Sequence, residues 1–476
     1  MNGIGSNTFV LAWRNVLRNR RRTLLTLAAI GIATVAIVML GGYVGYTIRG
    51  LQTMTVRDFG HLQIMKRGYL DFGRANPARY AIADADALIA RLSADPQLKD
   101  MILVATPQLQ MQGVAGHFES GNSSTFVGIA WDPAARHALM QWDGLSLGMA
   151  PAQTRLSATA ADEGVIGVGL AQLLGLCGPL KVAHCSELPP EPARVDARAA
   201  PADLAALSAQ ARQVVQTAPV SGASAAPGVP VELLAASASG APNVVRMNVV
   251  QAEQQGVRDL DRMYASMPLA LGQRLVFGPD QAGATAIVVQ LVHTDQMGAA
   301  RARIEAVLRA AGHDDLEVRP FADISPAYNQ VVAMFGTMFT FVSILMGVVT
   351  LFSVANTVNM AVSERIGEIG TLRAIGLKRA QVRRMFVTEG ALIGALGAVA
   401  GLVIAVLISV YGVNAAGLTW TPPGNAAAVP IRIDIAGSLR LCAGTVVVLT
   451  LLAAVSSWWP ARRAAGLEIV EALRHV

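Results

Sequence analysis

Four stretches of the chain run uncharged over long distances, whereas elsewhere apolar and polar positions alternate over a few residues. Residues 23–48 are the first, about 39 Å of helix at 1.5 Å per residue, which predicts a transmembrane span. Residues 328–363 are the second, about 54 Å as a helix and longer than a hydrocarbon core of ~30 Å. That span is predicted to continue beyond the membrane as a stalk. Residues 390–413 and 441–459 supply the third and fourth, the last ending in Trp458 and Trp459, which suit an interfacial belt.

Between the first two spans the pattern changes. Residues 83–92 and 299–311 have the period of amphipathic helices, and residues 60–65, 125–129, 285–292 and 316–319 read as strands. Residues 186–242 are rich in Ala, Pro and Ser with little periodicity and are read as a flexible excursion. The predicted fold class is therefore a membrane α-helical protein with four transmembrane helices. A large mixed α/β extracytoplasmic domain, residues 49–327, is inserted between helices 1 and 2.

Composition agrees with a membrane protein: 53% of residues are hydrophobic, 15% are charged, and the mean hydropathy is +0.45. These values exclude an ordinary cytosolic enzyme. The net charge of +6 raises nucleic acid as a partner, but the positive charge is local. Residues 1–23 carry +5, residues 364–389 carry +3 and residues 461–476 carry +1, leaving −3 elsewhere. Basic clusters beside apolar runs follow the positive-inside rule, so no nucleic acid is expected. Both termini and the loop at 364–389 are then cytoplasmic, and residues 49–327 lie outside. The organisation is a basic amphipathic helix at 1–22, spans at 23–48, 390–413 and 441–459, a stalk and span at 328–363, a short outer loop at 414–440 and a cytoplasmic tail at 460–476. The first uncharged run exceeds the ~7–15 residues of a signal-peptide core and no small-residue cleavage site comes after it, so it is read as a span.

Several chemistries are missing. No G-x-x-x-x-G-K-[ST] loop cradles a nucleotide, so the chain is not expected to be its own ATPase, and no H-E-x-x-H or other metal-ligand spacing occurs. Residues Gly144, Ser146 and Gly148 match G-x-S-x-G, but Gln141, Trp142 and Asp143 precede them and Pro151 breaks the segment where a long helix would be needed, so a turn is expected in place of a nucleophile elbow. The span centres lack Asp, Glu, Lys, Arg and His, which disfavours a proton- or ion-coupled carrier. Asn356 and Asn359 are expected to bond between helices. Gly41 and Gly45, Gly390 and Gly394, and Gly397 and Gly401 are spaced for close helix packing, within the chain or with a second copy. Cys177 and Cys185 lie in the outer domain, where oxidation is permitted, and are read as a disulfide or as two half-buried thiols. With His184 alone beside them they are too few for a zinc site.

The stretch from Ser363 to Lys378 carries the most information. Ile366, Ile369, Leu372 and Ile375 form an apolar edge, with Glu364 and Glu368 on another face, which predicts a short amphipathic helix ending near Gly376. Mixed charges and retained glycines suit docking to a protein better than lying on lipid.

These residues resemble the permeases of the MacB, LolC/LolE and FtsX class of ABC transporters, also called type VII. SERIGEIGTLRAIGLKRAQVRRMFVTEG resembles that family's cytoplasmic coupling segment, and PARRAAGLEIVEALRHV at 460–476 resembles its C-terminal tail. LAWRNVLRNRRRTLLTL at 11–27 and GHLQIM at 60–65 are similar to its N-terminal half. The resemblance implies an FtsX-like permease domain at 328–476 and a MacB-like periplasmic domain. It also implies a non-catalytic subunit of the bacterial inner membrane, paired with a second permease copy or a paralogue. A separate cytosolic ABC ATPase would hold the ATP and Mg, so this chain would bind no cofactor. Glu364, Arg365, Glu368, Ile369, Leu372 and Arg373 would contact that ATPase, and Arg14, Arg18 and Arg20 to Arg22 match the family's basic amphipathic helix. The implied work is mechanotransmission for lipoprotein release or export of a hydrophobic substrate, with membrane lipid, a periplasmic adaptor or a lipoprotein as further partners. The alternatives are MacB-like efflux through an outer-membrane channel and FtsX-like activation of a cell-wall hydrolase.

Overall fold

The computed structural model describes residues 20–73, 76–150, 154–156, 160–182, 185, 228–279, 281–421, 424 and 428–466. Arg14, Arg18, His184 and the segments at 186–227 and 467–476 lie outside these described residues. The chain divides into two compact units, one made of Met1–Leu51, Ala327–Trp420 and Val429–Val476, the other of Gln52–Pro326 with Thr421–Ala428.

Among the described residues four helices are long and apolar enough to cross a membrane: Arg21–Phe59, Pro326–Glu364, Arg379–Ala416 and Ala436–Gly466. They are denoted the first to fourth helices. Each outruns its uncharged stretch, because intrahelical hydrogen bonding continues past the point where hydropathy changes. The third relaxes into a π-helical turn at Ile408–Val413 near its end.

Small residues set how closely these helices approach, and the third helix uses its two glycine pairs on different neighbours. A Cβ on Gly394 would lie 2.6 Å from Ala453 Cβ on the fourth helix, and one on Gly390 would collide with Ser457. A Cβ on Gly397 would lie 2.9 Å from Ile30 Cβ, and one on Gly401 2.7 Å from Thr34 Cβ, both on the first helix. On the first helix itself, Gly41 meets Leu441 and Phe339, and Gly45 approaches Ser438 Oγ. In the second helix Thr350, Val354, Val358 and Val362 are buried at four-residue spacing, while Phe341, Ile344, Val348 and Phe352 stay exposed. Arg49 of the first helix bonds Asp434 at 2.5 Å, and Asn414 is hydrogen-bonded to both backbone groups of Ile433.

The second unit is mixed α/β and has two large cores. Its strands are β1 (Leu62–Lys66), β2 (Ile102–His117), β3 (Asn122–Trp131), β4 (Glu163–Gly167), β5 (Val229–Ala236), β6 (Pro242–Glu253), β7 (Tyr264–Pro268), β8 (Ala286–Leu291) and β9 (Leu316–Pro320). The order β9-β1-β8-β2, with helix Ala85–Ala94 joining β1 to β2 and helix Met297–Ala310 joining β8 to β9, is two interleaved βαβ crossovers of the ferredoxin-like kind. Leu62, Ile64, Ile287 and Val289 pack there against Leu88, Leu92, Ile304 and Leu308 of the helices.

Between β2 and β8 the chain builds a second body. Strands β2, β3, β7, β4, β6 and β5 pair in succession and β5 returns to β2, closing a ring of six. Closure leaves this ring without an open edge, which removes a site of unwanted strand pairing. Phe126, Leu109, Met247, Val231 and Leu271 fill its core. A disulfide joins Cys177 to Cys185, with Cα atoms 5.5 Å apart, and Cys442 is buried in the fourth helix.

One expected boundary is corrected. The excursion read over 186–242 is too long, because Val229–Ala236 is strand β5, paired with β2 and β6, and Pro242 opens β6. The segment Val-Pro-Val-Glu-Leu-Leu-Ala-Ala alternates weakly and contains proline, so its strand character comes from the ring it completes.

Candidate functional site

The site is built at the break between the second and third helices. The second helix ends at Glu364, and a short helix Ile366–Ala374 begins after Arg365, whose φ of −118° and ψ of 20° depart from helical geometry. The Arg365 N–H still donates to Val362 O, while the Arg365 carbonyl accepts from Ile369 N–H. At the far end Gly376 takes a φ of +105°, a left-handed conformation that turns the chain toward the third helix. Lys378 N–H then donates to Gln381 Oε1 at 2.9 Å, capping the new helix.

Side chains bind this segment to all the long helices. Glu364 pairs with Arg22 of the first helix, and one turn further along that helix Thr26 shares a hydroxyl contact of 2.5 Å with Thr357 of the second. Arg365 reaches Glu389 of the third helix at 3.4 Å, and Arg373 Nη1 donates to Ala465 O of the fourth at 3.4 Å. The six residues expected on the partner-facing side therefore divide. Arg365 and Ile369 are buried, at 5% and 1% exposure, so they pack within the chain. Leu372 and Arg373 are half-buried, and Glu364 and Glu368 are exposed. The outward face is completed by Thr371 and by Ile375, which is 77% exposed. The hydropathy pattern missed this division because it groups Ile375 with Ile369. The helix twist and the turn at Gly376 send the two isoleucines to different surroundings.

Glu389 and Arg22 were not singled out from sequence as partners of this segment. A lone acid at the border of an apolar run was the available signal for Glu389, but only the tertiary fold brings Arg365 to it.

The second unit contains another polar cluster that sequence reading missed, at the end of the first helix. Arg57 is 5% exposed and its guanidinium donates to three carbonyls, those of Trp142 (2.7 Å), Met149 (3.0 Å) and Ala150 (3.2 Å). Arg136 donates to Arg57 O at 2.9 Å and to Asp58 Oδ1 at 3.0 Å while lying 4.8 Å from the Trp131 ring. Gln290 Nε2 donates to Val56 O, so side chains from two elements satisfy carbonyls that a helix end leaves open. The G-x-S-x-G stretch belongs to this surrounding loop. Asp143 accepts from Leu147 N–H and Gly148 N–H, and the element directly before Ser146 is the helix Pro133–Met140, not a strand, which makes it a turn.

His61 lies just beyond that helix end. Its Nδ1 accepts from Leu291 N–H, so Nε2 carries the proton toward Thr294 Oγ1, and the ring meets Trp142 edge-on. Burial holds the imidazole pKa down at about 4. The folded protein thus keeps His61 neutral where the unfolded chain would protonate it. Its contribution is fully present above about pH 6.5 and is lost as pH falls toward 4, roughly 3 kcal/mol over that window. Thermal unfolding of the full chain between pH 7 and 4 should show this loss. The variant His61→Asn, which can accept the same N–H without titrating, should flatten the dependence. An equally steep dependence in the variant would assign it to other groups.

Among the described residues, four long apolar helices, with a short charged helix between the second and third, indicate a membrane protein. Residues 340–469 match the family described as FtsX-like permease C-terminal, so the chain carries an FtsX-like permease domain. It is 36% identical to the ABC transporter permease YtrF of Bacillus subtilis over 31% of this chain and 34% of that protein. It is 30% identical to the macrolide export ATP-binding/permease protein MacB of Hyphomonas neptunium over 44% of this chain and 30% of that protein. With the lipoprotein-releasing system transmembrane protein LolC of Haemophilus influenzae the identity is 28%, over 31% of this chain and 36% of that protein. The chain spans about a third of the length of these curated relatives. The matched region is thus similar to permeases of ABC transporters of the FtsX, MacB and LolC kind.

Proposed function

We propose that this chain couples ATP hydrolysis by a separate cytosolic ABC ATPase to movement of its α/β unit outside the membrane. The substrate class is a lipoprotein or another hydrophobic molecule handled at the outer face of a bacterial inner membrane, and the chain acts with a second permease copy or a paralogue. One observation carries the reading. The short helix Ile366–Ala374 is seated by Arg365 and Arg373 on its inner side and presents Glu368 and Thr371, with Ile375 just beyond its end, on the other. A helix held from within and open without is suited to receive a partner's push.

The orientation rests on charge: the basic segment at 364–389 is cytoplasmic, and the unit made of Gln52–Pro326 is extracytoplasmic. The disulfide between Cys177 and Cys185 supports an oxidising compartment for that unit. Movement is proposed to reach that unit along the first helix, Arg20–Phe59.

Replacing Glu364 and Glu368 together with Lys tests the reading. Affinity purification of the detergent-solubilised variant should lose a P-loop ATPase that accompanies the wild type, by about tenfold or more, while membrane insertion is retained. Ile375→Asp, at an exposed position, should weaken recovery in the same direction. Wild-type purification without any ATPase, from membranes that express one, would count against the proposal.

A further inference from the structure

The Arg365–Glu389 pair is the least expected feature of the membrane unit. Glu389 is the acidic residue on the third helix, only 5% exposed, and it shares the buried face of that helix with Met385, Phe386 and Ile393. Withdrawing a carboxylate and a guanidinium from water is costly, and such pairs are best retained where they select one geometry among alternatives. The position of Arg365 shows which geometry that is. Its backbone closes the second helix through Val362 and opens the short helix through Ile369, while its side chain bonds the third helix. One residue therefore sets the relation of three helices.

The short helix needs such an anchor. At nine residues it is shorter than the ~12–15 that an isolated helix requires, so its register and facing are set by its attachments. Arg365–Glu389 holds its start and Arg373 to Ala465 O its end. With the first in place Ile369 and Gly370 turn inward while Glu368 and Thr371 turn outward.

We propose that Arg365 and Glu389 are positioning residues that orient the outward face of the short helix. The pair would act on ATP-driven coupling only through that orientation, a consequence that rests on the permease reading above. Without Glu389 the buried guanidinium loses a carboxylate partner, so Arg365 leaves the third helix and the short helix turns with it.

Labelling of an introduced thiol tests this without any ATPase. In the full-length protein Cys177 and Cys185 are bridged and Cys442 is buried, so the I369C variant in lipid nanodiscs supplies a reporter on the inner side of the short helix. Its maleimide reaction should be slow. Adding E389Q or R365Q should each accelerate labelling by about tenfold or more, and the two together by clearly less than the product, because the double change removes both buried charges. Unchanged labelling with E389Q, or effects that simply multiply, would overturn the proposal. If either single variant fails to accumulate, R365Q/E389Q carrying I369C decides. Labelling clearly faster than in I369C alone, approaching that of T371C on the exposed side, supports the proposal, whereas a thiol as protected as in I369C alone overturns it. Faster labelling with normal ATPase recovery and turnover would keep the positioning role while removing its link to ATP coupling.

Discussion

Arg57→Met is expected to destabilise the second unit by about 4 kcal/mol. The guanidinium satisfies the carbonyls of Trp142, Met149 and Ala150 at once, and methionine fills much of the same space while donating to none of them. Each carbonyl left without its donor costs about 1–3 kcal/mol where water cannot replace it. The effect spreads because Trp142 also carries the His61 ring contact and donates from Nε1 to Val292 O. Thermal unfolding of the full-length protein should show a transition about 10 °C lower, with new proteolytic cleavage between residues 141 and 150. Arg57→Lys, which keeps the charge but has no planar fork, should fall between wild type and Met. A transition within about 1 °C of wild type for Arg57→Met would mean that the carbonyls find other donors.

Gly401→Leu should be as damaging to the membrane unit. A Cβ at Gly401 would stand 2.7 Å from Thr34 Cβ and 2.8 Å from Gly31 Cα, so even alanine presses on backbone that cannot yield. The first and third helices must then separate, giving up the packing that takes the place of a hydrophobic driving force inside lipid. A cost of about 3 kcal/mol or more is expected from overpacking at a backbone contact. Gly444→Ala is the internal control, since nothing lies within 4 Å of a Cβ there and the change should be neutral or slightly favourable. Fractions of monodisperse protein after detergent extraction should separate the two variants sharply. Equal, undisturbed elution would mean that the helices do not meet at Gly401.

Much of the architecture was legible in the chain. The four apolar helices could be read from length and charge, because lipid accepts few ways of satisfying a backbone. The helices Ala85–Ala94 and Met297–Ala310 and the strands β1, β3, β8 and β9 were legible from local apolar patterning, and the two helices and β9 each present one face to a core. The remaining strands were less visible. Strands β4 and β7 are buried along most of their length and lack a polar alternation, and β5 lies next to an Ala- and Pro-rich stretch. Their identity depends on neighbours far away in sequence, as when Val165 meets Ser266.

The candidate site divides along the same line. By itself the sequence determined that a short amphipathic helix bearing Glu368, with Glu364 just before it, interrupts the membrane helices and that glycines space them closely. Both are local properties of residue type and spacing. Only the tertiary structure decided that Arg365 and Ile369 turn inward, that Glu389 receives Arg365, that Gly390 and Gly394 serve the fourth helix while Gly397 and Gly401 serve the first, and that Arg57 gathers three carbonyls. The physical reason is that burial and ion pairing are relations between surfaces. A charged residue at a helix break reads the same in sequence whether it meets solvent or a carboxylate, and the difference is made by the helix that packs over it.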